Sequence, residues 1–351
     1  MLRPGFDPNA AAPAESGIFG LPRDAANARV VYLPVPWEAT TSYGGGTAAG
    51  PEAILHASRQ VDLFDLEVDR PYEAGLHLLP PDPRIVAWNA EARPLAQRVI
   101  ELGGAIGDAP VLQEARARVN RLSEELNAAV RSATARIFDA GQVPAVVGGD
   151  HSTPFGAIEE AARRHPGLGL LQVDAHMDLR LAYEGFTWSH ASIMRNVVDR
   201  LDGVGRLVQV GIRDFCEEEL DCVAASGGRI QVSYDADLAR RTFAGQAWAA
   251  LVPGIVSALP TEVWISFDID GLDPRLCPHT GTPVPGGLDF NQAVHLVAEV
   301  ARSGRRIVGF DLNEVAPGPY GEWDANVGAR LLYKLTGWTL VSRGMRSERT
   351  R

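Results

Sequence analysis

The chain has 351 residues, of which 46% are hydrophobic and 22% are charged, an ordinary globular composition with enough apolar material for a sizeable core. Its 44 acidic residues outnumber the 33 basic ones, and the net charge of -11 argues against a nucleic-acid partner. The charge suits a cationic substrate or bound metal ions, unless it only aids solubility. No apolar run reaches the roughly 18 residues of a membrane span, no signal-peptide pattern begins the chain, and its cysteines lack disulfide or zinc spacing. We therefore expect a cytoplasmic protein with no membrane partner.

Residues 1–27 are rich in Ala, Pro and Gly and are predicted to form an irregular N-terminal arm, followed by a single domain at 28–351. In that domain, short β-branched runs predict strands at 30–35, 75–79, 144–148, 168–174, 207–211, 230–233, 263–270 and 307–312. Helical patterns lie between them at 51–60, 111–140, 154–165, 191–201, 291–302 and 326–335. Several strands are apolar on both faces, which is typical of a parallel sheet covered by helices on each side. The alternation predicts an α/β fold, either a doubly wound sheet or a barrel.

Three clusters of polar residues directly follow predicted strands. They are Gly-Asp-His-Ser at 149–152, Asp-Ala-His-Met-Asp at 174–178 and Asp-Ile-Asp at 268–270. In open parallel sheets, ligands bind at the carboxyl ends of the strands, so we expect the three clusters to converge in space.

The spacing inside these clusters predicts metal binding. Asp174, His176 and Asp178 are two residues apart, so in extended chain their side chains project to one side, as do those of Asp268 and Asp270. Carboxylates held so close repel one another unless they are protonated or bridged by cations, which favours more than one metal ion. The oxygen-rich donor set suits manganese, and the imidazoles leave zinc, nickel and cobalt as alternatives.

The three clusters resemble the signatures of the ureohydrolase family, which includes arginase, agmatinase and formimidoylglutamase. Two flanking segments are also similar to the family: Tyr-Gly-Gly-Gly-Thr at 43–47 with Gly-Pro-Glu-Ala-Ile at 50–54, and Gly-Phe-Asp-Leu-Asn-Glu-Val-Ala-Pro at 309–317. The resemblance spans residues 28–337. It implies one three-layer α/β/α domain with an eight-stranded parallel sheet that is not a closed barrel, two Mn²⁺ ions per subunit, and assembly into homo-trimers or hexamers.

The resemblance also implies a ligand set for each ion. One ion would take His151, Asp174, Asp178 and Asp268. The other would take Asp174, His176, Asp268 and Asp270, so that Asp174 and Asp268 bridge the pair. Two such cations lower the pKa of a water between them towards neutrality, which makes hydroxide available to attack a guanidinium carbon at pH 7.

Two further residues receive roles from the resemblance. His190 matches the Ser-His shuttle of agmatinase-like members, and we expect it to protonate the leaving amine, which requires a pKa near neutrality. Glu314 matches the carboxylate that pairs with the substrate guanidinium. The alternatives are that His190 caps the following helix and that Glu314 forms a structural ion pair.

Residues near the proposed site point to different substrate tails. The segments at 189–190 and 314–317 favour an agmatinase, which converts agmatine to putrescine and urea. Arg180 stands where arginase carries Asn, in a pattern more like formimidoylglutamases, and would attract a substrate carboxylate unless it pairs with Glu184. Trp188 is expected to shape the substrate pocket. Arginase, guanidino-acid hydrolase, guanidine hydrolase and formimidoylglutamase activities stay open, as do a mononuclear zinc deacetylase and a non-catalytic subunit.

Overall fold

Eight parallel strands form the centre of the structure, a computed structural model that describes residues 6–319 and 321–345. In chain order they are β1 (Val30–Val35), β2 (Leu76–Leu78), β3 (Val143–Gly148), β4 (Leu168–Val173), β5 (Val204–Ile212), β6 (Ile230–Tyr234), β7 (Glu262–Asp268) and β8 (Arg306–Asn313). Every neighbouring pair is parallel, in the order β2-β1-β3-β8-β7-β4-β5-β6. Because β2 and β6 lie at free edges, the sheet is open, which confirms the eight-stranded parallel sheet and excludes a barrel.

The described residues contain ten α-helices, of which nine lie between strands and α10 follows β8. They are α1 (Gly50–Ser58), α2 (Pro83–Ile100), α3 (Pro110–Asp139), α4 (Phe155–Arg164), α5 (Ile193–Arg200), α6 (Glu217–Ala225), α7 (Asp235–Phe243), α8 (Trp248–Ser257), α9 (Phe290–Arg302) and α10 (Trp323–Ser342). The sequence predicted six of them and missed α2, α6, α7 and α8. None of the described helices combines the length and apolarity that crossing a membrane requires.

The sheet is buried on both faces, so the protein has three layers. Successive side chains of a strand point to opposite faces. In β1, Val30 and Tyr32 pack into a core with residues of α1, α9 and α10, whereas Val31 and Leu33 pack into a second core with residues of α2, α3, α4 and α5. Each fully buried aliphatic side chain of this kind contributes roughly 1.5–3 kcal/mol to folding. Because the strands carry apolar side chains on both faces, helices must cover both faces of the sheet to keep those side chains from water.

The predicted N-terminal arm packs against the first of these cores. Residues 1–5 lie outside the described residues, and the remainder contains one 3-10 turn, Ile18–Gly20. Phe19 in this turn is buried, with its ring centroid 6.0 Å from that of Tyr32 and 4.8 Å from that of Tyr333 on α10. Thus the second half of the arm shares a core with the sheet, and the boundary at residue 28 stays a prediction.

Candidate metal centre and substrate cavity

The strand order brings four polar segments to one end of the sheet. Strands β3, β8, β7 and β4 are consecutive neighbours, and their carboxyl ends lie side by side because all are parallel. His151 follows β3, Glu314 follows β8, Asp268 ends β7 and Asp174 follows β4. These segments are up to 163 residues apart in sequence, as shown by the hydrogen bond between residues 151 and 314. The fold therefore assembles the site from distant parts of the chain.

The first group of candidate ligands surrounds the imidazole of His151. Its Nδ1 atom lies 2.9 Å from an oxygen of Asp174, 3.1 Å from an oxygen of Asp178 and 3.3 Å from an oxygen of Asp268. None of these oxygens is aligned with Nδ1 as a hydrogen bond, and all four side chains are buried. Three carboxylate oxygens within 3.3 Å of one ring nitrogen that has no hydrogen-bond partner form a donor group of the kind that holds a cation.

The second group surrounds His176. Its Nδ1 atom lies 3.1 Å from an oxygen of Asp270 and 3.6 Å from an oxygen of Asp174, so Asp174 contributes one oxygen to each group. Asp268 belongs to the first group through its distance of 3.3 Å from His151, and its other oxygen accepts a bond of 2.9 Å from the amide of Asp270. All six ligands named from the sequence lie in this one region.

The electrostatics of the cluster favour bound cations. Burial and the carboxylates of Asp270 and Asp174 raise the pKa of Asp268 well above its usual range, and burial and Asp174 raise the pKa of Asp178 to about 7. Asp174 differs: burial alone would raise its pKa, but His151 and His176 outweigh this effect and lower it. With Asp268 beside His151, four carboxylates and two imidazoles form an oxygen-rich donor set that fits two divalent cations, and such cations would relieve this repulsion.

A buried hydrogen-bond chain orients His151. Its Nε2 atom lies 2.9 Å from the hydroxyl of Ser266, and that hydroxyl donates a bond of 2.9 Å to Asp311. Trp264 donates a bond of 2.5 Å to the other oxygen of Asp311. With Nε2 occupied in this way, Nδ1 is directed at the cluster, as in metal sites where an outer partner sets the ring orientation.

Gln172 and Gln209 support the cluster from within the sheet. Gln172 donates to Asp174 at 2.8 Å and accepts from Gln209 at 2.6 Å. The sequence analysis missed these glutamines, as well as Ser266 and Asp311. A signal was present, because a polar side chain inside a buried apolar strand requires a hydrogen-bond partner.

His190 lies beside the cluster with hydroxyl groups near both ring nitrogens. Ser189 Oγ is 3.3 Å from Nδ1, and Ser42 Oγ is 3.4 Å from Nε2. Burial, followed by the charges on His176 and His151, lowers the pKa of His190 to about 3, so the ring is neutral at pH 7. The turn at 190–192 is capped by Ser189, which accepts a bond from the amide of residue 191, so capping is not the role of His190.

Glu314 is a buried carboxylate with one unused oxygen. Its backbone is in the left-handed region with φ 63°, and its amide donates a bond of 2.7 Å to the carbonyl of Gly149. Oε1 accepts a bond of 2.9 Å from the amide of His151, whereas Oε2 has no hydrogen-bond partner. Burial, together with the charges of Asp268 and Asp150, raises its pKa well above the usual range. Among the described residues Glu314 makes no ion pair that would explain its burial.

A cavity of about 330 Å³ opens onto the cluster. Its wall includes the ligand candidates His176 and Asp178, His190, and three charged residues, Arg180, Asp214 and Glu219. A larger cavity of about 910 Å³ lies under the N-terminal arm and contains none of the residues named from the sequence, so we assign the chemistry to the smaller one.

Arg180 and Trp188 do not share the same surroundings. The guanidinium of Arg180 lies 5.0 Å from the ring centre of Tyr183, with Nε 3.9 Å from Glu219, so its acidic neighbour is Glu219 and not Glu184.

Trp188 packs on Phe155 and Arg200, with 4.8 Å separations, and lines a separate depression of about 310 Å³. The sequence interpretation of Trp188 as part of the substrate pocket disagrees with this position, because its ring fills the gap between α4 and α5.

The comparisons with known proteins agree with this geometry. The arginase family matches residues 28–337. An N(1)-aminopropylagmatine ureohydrolase of Thermus thermophilus is 33% identical over 312 residues, covering 88% of this chain and 90% of that protein, and an agmatinase of Bacillus anthracis is 27% identical over 289 residues, covering 82% and 83%. The structure of proclavaminate amidino hydrolase from Streptomyces clavuligerus has a similar fold, with a TM-score of 0.71 at 21% identity and coverage of 95% and 99%. The chain is a member of the arginase family and thus a ureohydrolase-type hydrolase of C–N bonds in linear amidines.

Proposed function

We propose that the protein hydrolyses a linear guanidino compound with a cationic tail and releases urea, as in the conversion of agmatine to putrescine and urea. The observation that carries this proposal is the unpartnered Oε2 atom of the buried Glu314, beside the two His–Asp groups. A guanidinium offers the charged N–H donors that such an oxygen lacks. The relatives named as agmatinase and aminopropylagmatine ureohydrolase support the same class of substrate.

Two divalent cations fit the ligand groups, and we propose Mn²⁺, with Ni²⁺, Co²⁺ and Zn²⁺ as alternatives. One ion would be held by His151, Asp174, Asp178 and Asp268. The other would be held by Asp174, His176, Asp268 and Asp270. Such a pair of ions supplies hydroxide at neutral pH. A mononuclear zinc deacetylase would leave one of the two groups without a cation, so the arrangement disfavours it.

His190 is proposed to move a proton between the attacking and leaving groups. The near-neutral pKa assumed from the sequence differs from the value of about 3 in the structure. A neutral imidazole can accept a proton and return it to the leaving amine, and the lowered pKa favours the return while it opposes the uptake. His190 would therefore start the cycle as a base and complete it as an acid.

The cavity wall around the substrate tail favours a cation. The side chain of Asp214 is 67% exposed, with an oxygen 3.8 Å from His176. The charge of Arg180 is offset by Glu219, 3.9 Å away. An ammonium tail would gain attraction from Asp214.

A guanidino acid is the second candidate substrate. Arg180 lines the same cavity, and its side chain is 34% exposed, so a carboxylate tail can reach it. Agmatine and guanidinobutyrate present the same guanidinium with tails of opposite charge. The ratio of their kcat/KM values therefore distinguishes the two candidates.

The assembly and location of the protein are proposed on the family resemblance alone. We propose a homo-oligomer, a trimer or hexamer, in the cytoplasm, with a small guanidino compound as its substrate. Light scattering during size-exclusion chromatography measures the assembly, and the mass of a single chain would contradict it.

A substrate panel tests the proposed function. The Mn²⁺-reconstituted full-length protein is incubated with agmatine, N(1)-aminopropylagmatine, guanidinobutyrate and arginine, and urea is measured. With formiminoglutamate the product measured is formamide, because a formimidoyl group cannot give urea. We expect urea from agmatine or its aminopropyl derivative at a higher kcat/KM than from guanidinobutyrate, and a strong loss in Glu314→Gln. Urea from none of these compounds would contradict the function, and a reversed ratio would select the guanidino acid.

A further inference from the structure

One of the candidate metal ligands has an unfavourable backbone conformation. Asp178 has φ 56°, in the left-handed region. A residue with a side chain persists there, at a cost of order 1–3 kcal/mol, only when its surroundings hold it. Its carbonyl accepts a bond of 3.0 Å from the amide of Arg195 on α5, and the next amide, of Leu179, donates a bond of 2.9 Å to Glu219.

Glu219 reaches this position from a different element. It lies in the first turn of α6, and its side chain is 3% exposed. Oε1 accepts the bond from Leu179, and Oε2 accepts a bond of 2.9 Å from the amide of Cys216, the residue that precedes α6. One buried carboxylate thus joins the start of α6 to the segment that carries Asp178.

The same carboxylate also controls the charge of the cavity wall. Its Oε2 atom lies 3.9 Å from Nε of Arg180, the arginine of the cavity wall. Both Glu219 and Arg180 line the cavity, together with Asp178. A negative charge at Glu219 therefore offsets Arg180 where a substrate ammonium would pass.

We propose that Glu219 is a positioning residue that holds Asp178 towards His151 and offsets the charge of Arg180, so that one side chain supports both metal binding and selection of the substrate tail. The second part rests on the proposed function. The first part concerns Asp178 alone and requires no substrate.

The effect on metal binding is tested with the full-length variant Glu219→Gln. The variant is isosteric but uncharged, and one of its two positions becomes an N–H₂ donor, so the amides of Leu179 and Cys216 cannot both keep an acceptor. Mn²⁺ affinity is measured calorimetrically on metal-free protein without substrate. We expect a loss of about 10–100-fold for one of the two ions, the usual effect of removing a group that orients a ligand.

Glu217→Gln is the matched control, because Glu217 is exposed in the same helical turn. It should bind Mn²⁺ as the wild type does. Equal affinities in Glu219→Gln and Glu217→Gln would overturn the proposal. A Glu219→Gln protein without a cooperative thermal transition would also overturn it, because Glu219 would then hold the fold and not the site.

The effect on substrate selection is tested by the ratio of kcat/KM for agmatine to that for guanidinobutyrate. Weaker metal binding lowers kcat/KM for both substrates and therefore cancels in this ratio. An uncompensated charge on Arg180 acts in opposite directions on the two tails and therefore changes the ratio. We expect Glu219→Gln to lower the ratio by about fivefold, the scale of a partly solvated charge pair. The same substitution in an Arg180→Met background should leave the ratio unchanged.

The two tests separate this proposal from the proposed function. An unchanged ratio in Glu219→Gln, or an equal fall in the Arg180→Met background, would overturn the proposal. If the wild type releases urea from no guanidino compound, the proposed function fails, and the calorimetric comparison still decides whether Glu219 holds Asp178.

Discussion

Gly281→Ala tests the guanidinium site at a single methyl group. A Cβ atom at Gly281 would lie 3.1 Å from Oε2 of Glu314 and 3.3 Å from Cγ2 of Thr41. Contacts this short require a neighbour to shift by a few tenths of an ångström, and the added methyl group would take up space directly beside the free oxygen of Glu314. Gly281 does not have a positive φ, so alanine adds no backbone strain.

The magnitude follows from the bond that would be lost. A hydrogen bond to a charged group contributes about 1.5–3 kcal/mol, and each 1.36 kcal/mol is a factor of ten in rate, so kcat/KM should fall by roughly 10–150-fold. The free energy of unfolding should change by less than about 1 kcal/mol, because glycine-to-alanine changes at unstrained positions have small effects.

The assay compares kcat/KM for urea release and the thermal transition in the wild type, Gly281→Ala and Gly254→Ala. Gly254 lies within α8, where a Cβ atom would meet nothing within 4 Å, so this control should keep full activity. Wild-type kcat/KM in Gly281→Ala would refute the assignment of Glu314 as the guanidinium partner.

Three other predictions address the metals and the core. Asp174→Ala removes the carboxylate shared by both groups, so it should lower kcat by more than about tenfold, which is roughly 1.4 kcal/mol of activation free energy. The circular dichroism spectrum should stay unchanged. A smaller loss of kcat would contradict the shared position. Chelation of the metals should abolish urea release and lower the melting temperature. Adding Mn²⁺ at about 100 times its Kd should restore about 2.7 kcal/mol to the free energy of unfolding. A melting temperature that does not depend on metal would count against a metal held by the folded state. Tyr32→Phe removes a buried bond of 2.7 Å to Thr336, far from the cavity, so denaturant unfolding should show a loss of about 1 kcal/mol with kcat/KM unchanged, and altered kinetics would mean that the core and the site are coupled.

The sheet was predictable because its strands are uninterrupted apolar runs. β1 was predicted with the bounds that it has, Val30–Val35. β5 was predicted too short, at 207–211, because Gly205 and Arg206 interrupt the apolar pattern, although backbone pairing extends the strand from Val204 to Ile212. Local hydrophobicity identifies a strand, but the pairing with its neighbours determines where it ends.

The missed helices have weak local signals for different reasons. Pro94 within α2 and Pro253 within α8 are residues that normally interrupt helices. The helices α6 and α7 are nine residues long and each bury a single residue, Glu219 and Leu238, so their apolar faces are short. Their positions are determined by tertiary contacts, which local sequence patterns do not record.

The candidate ligands were predictable because those of one motif lie only two residues apart in the sequence. Their supporting residues were not, because Glu219 stands in a run of three glutamates and its partner Leu179 is 40 residues away. Trp188 was misplaced for a similar reason. It was expected to shape the substrate pocket, but its ring packs on Phe155 and lines a separate depression.

The number of metal ions bound per chain tests the central claim most directly. The full-length protein is stripped of metal, reconstituted with Mn²⁺, separated from free ions by gel filtration and analysed for metal and protein in the same fractions. Two ligand groups that share Asp174 predict two Mn²⁺ ions per chain, with urea release rising as the second ion binds. Full activity with a single ion per chain would contradict the dinuclear centre.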